Sequence, residues 1–171
     1  MKRLIAAGLA LLLLTGLLAA CGQKNDAPEE TTGLTAEDRT ARYAEAINNC
    51  GAEAVEYNPP ITTPGGDSEL IFQTLGVTEE DMSSYAISMS LMNVQAYTIA
   101  LIMPAEGKAG TVLDAVNGYV EQQQKNFELY LADQYEIAKN AKVETLDDGT
   151  IVLVMAENAG DIYTAVTDAL K

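Results

Sequence analysis

YAISMSLMNVQAYTIALIM, running from Tyr85 to Met103, is the stretch that decides the fold. In its first half Tyr85, Ile87, Met89 and Leu91 alternate with Ala86, Ser88 and Ser90. A period of two is that of a strand, here with one buried face and one partly wet face. Tyr97 to Met103 is nearly continuous apolar sequence, as expected of a more central strand, and Pro104 ends it.

Downstream the period lengthens. From about Ala109, the residues Val112, Val116, Tyr119, Val120, Gln123, Phe127, Tyr130 and Leu131 form one stripe of a long helix. A bend is expected near Ala132 and Asp133, ahead of Tyr135 and Ile137. Two further strands, Lys142 to Leu146 and Ile151 to Ala156, flank Asp147-Asp148-Gly149. That is a hairpin turn, and Asp-Gly favours type I′. Asn158 can cap a last helix that turns Ile162, Tyr163, Val166, Ala169 and Leu170 inward, with Asp161 and Lys171 placed to suit its dipole.

Upstream, Thr78-Glu79-Glu80-Asp81 gives one helical turn, and Ser68 caps a short helix that Gly76 stops after Leu75. Tyr57-Asn58-Pro59-Pro60 and Thr63-Pro64-Gly65-Gly66 break regular structure over a loop. Thr35 with Asp38 opens a helix from about Ala36 to Asn49, with Tyr43, Ala46, Ile47 and Cys50 along one face. The order predicts a single α+β domain over residues 34–171. Its core is β-β-α-β-β-α, an antiparallel four-stranded sheet with helices packed on one face and an N-terminal helix before it. The serine side of the first strand faces solvent or forms a groove.

The chain has 171 residues, 25 acidic and 10 basic, with no His and a formal net charge of −15. Such a charge excludes non-specific nucleic-acid binding, which needs a surplus of Lys and Arg, and argues against a basic patch on anionic lipid. Absence of His excludes imidazole acid–base chemistry, His triads and His-ligated zinc. The sequence also has no phosphate-cradling Gly loop, no nucleophile elbow and no Ser-x-x-Lys. The expectation is a protein that is not an enzyme and needs no cofactor.

Lys2 and Arg3 precede an apolar run from Leu4 to Leu18, then Ala19 and Ala20. A short apolar segment behind positive charge and ahead of small residues is a signal peptide, residues 1–20. Leu18-Ala19-Ala20-Cys21 resembles the lipobox of bacterial lipoproteins. That resemblance implies a diacylglyceryl group on the Cys21 sulfur and cleavage before it. Two acyl chains anchor stably where one does not. The protein is then exported and held on the extracytoplasmic face of the cell membrane. Residues 21–33, the lipidated Cys and the polar segment GQKNDAPEETTG, read as a flexible tether. Cys50 is left as the only other thiol, read as buried and inert.

From about Leu70 to Leu170 the chain resembles a domain of unknown function in small lipoproteins of Gram-positive anaerobes. The resemblance rests on Leu75-Gly76-Val77 with acidic residues after it, the strand pair ending at Met103, and Val120-Glu121-Gln122-Gln123 with Phe127 and Tyr130. It continues through Tyr135-Glu136-Ile137 and Asn140-Ala141-Lys142-Val143 to the closing apolar strand. Ala96-Tyr97-Thr98 stands where an acidic residue is common in that family. The resemblance implies a Gram-positive cell envelope and supplies no activity.

Candidate sites are few. Asp147-Asp148-Gly149 lacks the alternating carboxylates of an EF-hand loop and reads as a turn. Glu79-Glu80-Asp81 reads as a solvated helix start. Met82, Met89, Met92, Met103 and Met155 read as core filling rather than a soft-metal site, so no metal is expected. Tyr97, Tyr119, Tyr130 and Tyr135 either line a ligand groove or pack helix against sheet with hydroxyls at the rim. Together these point to a lipid-anchored, non-catalytic module that binds an envelope protein or wall partner. The alternative is a small-solute-binding lipoprotein with a Tyr-lined pocket. A third reading, cation buffering by the acidic surface, predicts stabilisation by Ca²⁺.

Overall fold

The computed structural model describes residues 33–171. The expected signal peptide, Cys21 and the expected tether up to residue 32 lie outside the described residues. Helix α1 (Ala36–Asn48) opens the domain, with the Thr35 hydroxyl oxygen accepting from the Asp38 amide at 3.1 Å. After a 3-10 turn (Glu53–Glu56) and a loop come α2 (Ser68–Leu75) and a second 3-10 turn (Glu79–Asp81). The hairpin β1 (Met82–Met89) and β2 (Thr98–Pro104) leads into α3 (Ala109–Phe127) and α4 (Ala132–Lys139). A second hairpin, β3 (Lys142–Thr145) and β4 (Ile151–Met155), precedes α5 (Ala159–Ala169). All pairings are antiparallel in the order β1-β2-β4-β3, so the two most apolar strands are central, as their sequences require.

The α+β class and the four-stranded sheet are as expected; the covering of the sheet is not. Tyr85, Ile87, Ala100, Ile102, Ile151 and Leu153 point into one core with α2, α3 and α4. Ala86, Ile99, Leu101, Val152 and Val154 point into a second core with α1 and α5. Helices therefore pack on both faces, and the serine side of β1 is neither wet nor a groove. The Ser84 hydroxyl donates to the Ala36 carbonyl at 3.0 Å, and the Ser88 hydroxyl to the Asn58 carbonyl. Small hydroxyl side chains let a covering segment come close while its carbonyls accept their protons. Of the two sheet edges, β3 keeps Lys142, Glu144 and Thr145 exposed, and charges there oppose edge-to-edge pairing. Ile61 bridges to Ile87 on the outer side of β1.

Local signals differ in four places. The long helix breaks rather than bends, over Glu128–Leu131, and Leu131 is non-helical (φ −133°, ψ 75°). Folding α4 back buries Ala138 completely and brings its carbonyl to the Gln124 side chain, whereas Tyr130 leaves the stripe and is 62% exposed. Ser68 is the first residue of α2 rather than its cap, and its hydroxyl oxygen accepts from the Gly65 amide in the preceding turn. Asn158 does precede α5, but in the left-handed region (φ 56°) with no side-chain cap. The Asp147-Asp148-Gly149 hairpin is not type I′, because only Gly149 has positive φ. With the Gly149 amide on the Leu146 carbonyl and the Leu146 amide on the Thr150 carbonyl, it is a three-residue loop closed by a left-handed glycine.

Candidate functional site

The four tyrosines of the expected groove do not converge. Tyr97 is buried in the α1/α5 core, its hydroxyl 2.8 Å from the Ser88 hydroxyl. Tyr119 is buried in the opposite core, hydroxyl 2.7 Å from that of Thr98. Burial pushes both up to about 12, so both are neutral packing residues in these surroundings. Tyr135 is half-buried against the α3/α4 side with the Lys139 ammonium 5.8 Å from its ring centre, and Tyr130 projects outward. Cys50 is buried beneath α1, and burial raises its thiol, the environment of an inert cysteine. Cys21 lies outside the described residues.

What the structure does organise is two poles. Helix α1 starts beside Ser84, near the beginning of β1, and Cys50, just after its end at Asn48, comes beside Tyr97, near the end of β1. Leu34, just ahead of α1, is therefore at the pole that also holds the β3–β4 turn: Tyr43 reaches the Thr150 hydroxyl there. Asp81 clamps the same pole. Its carboxylate accepts from the Lys108 ammonium at 2.9 Å and from the Thr78 amide and hydroxyl at 2.9 and 2.7 Å. The Lys108 bond, then the Thr78 contacts, hold it down at about 2.

The far pole carries the β1–β2 loop and the α3–α4 break, tied together by the Ala96 amide donating to the Gln134 side-chain oxygen at 2.8 Å. Leu91, Met92 and Val94 are exposed on the loop, Leu129 and Tyr130 on the break, Leu129 at 90%. Sequence reading named Tyr130 only as a groove candidate and Met92 only as core filling, because Leu91 completes the alternation of β1 and Tyr130 the stripe of α3. Both signals outrun the elements that carry them.

Two cavities accompany these poles. One, about 410 Å³, lies at the near pole between α1, the end of α5 and the β3–β4 turn. The other, about 420 Å³, lies between the end of α4 and the Ala156–Gly160 segment. Among the described residues no cluster of three or more carboxylate or Cys side chains is placed to hold a metal, and no helix is long and apolar enough to cross a membrane.

A comparison with curated proteins and one with solved structures each found no match. Residues 62–156 match the family model of DUF4358, described as a domain of unknown function. That span holds the whole sheet with α2, α3 and α4 and covers over half of the chain, which belongs to the DUF4358 family.

Proposed function

We propose that this chain is an exported lipoprotein, anchored through acyl chains on Cys21, whose folded domain is a non-catalytic module that docks an envelope protein at its far pole. The observation that carries the reading is the grouping of Leu91, Met92, Val94, Leu129 and Tyr130 at the end of the sheet opposite Leu34. A tether attached at Leu34 holds the near pole toward the bilayer and turns the apolar pole away from it. The occupant is then a protein rather than the anchoring membrane. A chain of net charge −15 repels a second copy of itself, so the complementary partner presents apolar side chains ringed by Lys and Arg.

Photo-crosslinking in the producing cells tests this. A photoreactive residue at Met92 or Tyr130 is expected to give one discrete protein adduct that the same residue at Glu45 on α1 does not give. Met92→Asp should abolish the Tyr130 adduct. Adducts equal at all three positions, or adducts with lipid alone, would overturn the docking reading. The anchor is checked separately: Cys21→Ser should move the protein out of the membrane fraction.

A further inference from the structure

We infer that the cleft at the near pole is a binding site for a short zwitterionic peptide, with the peptide carboxylate on Arg39 and Arg42 and its ammonium on Asp147. These two are the arginines of the described residues; they stand three apart on α1, which puts them on one face, and both are half-buried at the cleft wall. In a chain so rich in carboxylates they have no ion-pair partner among the described residues. Lys108, Lys125, Lys139 and Lys171 each hold an Asp or Glu, whereas among the described residues neither arginine, nor the exposed Lys142 on β3, has a carboxylate within 4.0 Å. Arg42 makes one long hydrogen bond, 3.4 Å, to the Ala169 carbonyl at the end of α5.

The opposite wall is acidic and largely committed. Asp148 accepts from the Thr150 amide and hydroxyl, both at 2.9 Å, and Glu144 from the Tyr163 hydroxyl at 2.7 Å. Asp147 makes no hydrogen bond among the described residues and lines the same cleft. Between the walls lie the apolar Leu146, Leu170 and the ring of Tyr43, whose hydroxyl is occupied by Thr150. Burial, with a smaller push from Asp148, carries that phenol up to about 12 against the Thr150 hydrogen bond and the two arginines, which lower it, so both walls act on one floor atom.

This arrangement selects the ligand class. A guanidinium fork matches a carboxylate, and two of them with no internal partner keep their donors for a ligand. A doubly charged anion would meet the acidic wall and the repulsion of the whole chain, whereas a net-neutral zwitterion meets neither. A single amino acid carries both charges on one carbon, whereas two or three extended residues, at about 3.3–3.6 Å each, separate them and fill more of the cleft. The cavity volume, about 410 Å³, is that of a small-molecule pocket. This site lies at the other end of the sheet from the docking pole, and the two proposals stand independently.

The test is calorimetric titration of the full-length protein with trialanine, N-acetyl-trialanine and trialanine amide. Trialanine should bind saturably, with each blocked peptide weaker by about tenfold or more. Arg39→Gln with Arg42→Gln should weaken trialanine by about tenfold or more, and Asp147→Asn should weaken trialanine while leaving N-acetyl-trialanine unchanged. No saturable binding up to about 10 mM would overturn the site, at an affinity below any specific contact. Equal affinity for all three peptides would overturn it as well. That comparison needs no variant, so it decides the matter even where the double arginine variant fails to fold.

Discussion

Tyr85 carries the one buried side-chain polar atom without a partner among the described residues. Its ring packs edge-on against Phe72, centroids 5.2 Å apart, so the ring is useful and the hydroxyl is not. Leaving such a group unpaired costs about 1–3 kcal/mol. Tyr85→Phe should therefore stabilise the domain by about 1 kcal/mol, read as a higher urea midpoint at unchanged slope. Asp81 is the opposite case, a buried carboxylate with every oxygen engaged. Its folded pKa, about 2, lies below the ordinary 3.8, so its contribution is complete above about pH 4 and is lost as pH falls toward 2. The expected outcome is a urea midpoint that drops across that window in the parent, with a shallower drop in Asp81→Asn, which starts lower at neutral pH. The Thr78-x-x-Asp81 spacing is that of a capping box and marks the Thr78 contacts, but nothing local marks the Lys108 bond, because Lys108 comes from the far side of the β1–β2 hairpin.

At the scale of elements, chain signals were read well where one local cause dominates. Gly76 ends α2 in the left-handed region (φ 81°) with its amide on the Phe72 carbonyl, as a glycine there suggests. A Cβ at that position would stand 3.6 Å from Ala115, ordinary contact, so the cost of substitution is conformational. Gly76→Ala should cost about 1 kcal/mol, measurable by thermal unfolding, and a larger loss would mean that α2 itself shifts against α3. The α3–α4 break was less legible. Phe127, Tyr130, Leu131, Tyr135 and Ile137 continue a helical pattern, and no Pro or Gly interrupts it. The break is imposed by tertiary packing: α4 buries Ala138 only by folding back onto α3. The same holds for Asn158, whose left-handed backbone replaces the side-chain cap that its identity suggests.

For the whole molecule, the decisive feature is that the sheet is covered twice. The 62–156 span contains the sheet and the helices of one face, while α1 and the whole of α5 lie outside it. Without them Ile99, Leu101, Val152 and Val154, all fully buried, would face water. A fragment of residues 62–156 should therefore aggregate or stay unfolded, whereas 33–171 should unfold cooperatively as a soluble monomer; circular dichroism with size-exclusion chromatography reads both. A soluble, folded 62–156 would mean that one core is sufficient. The sequence by itself determined the strands, the hairpin pairs, most helix limits and the α+β class, because period, glycines and charged ends act over a few residues. It also carries the lipobox-like segment, legible without any fold. Only the tertiary structure decided that the serine face of β1 is buried, that the four tyrosines separate to opposite cores and an exposed turn, and that the apolar residues gather opposite Leu34. Those outcomes depend on which distant segments meet across the sheet, and a strand's own residues do not record what will cover them.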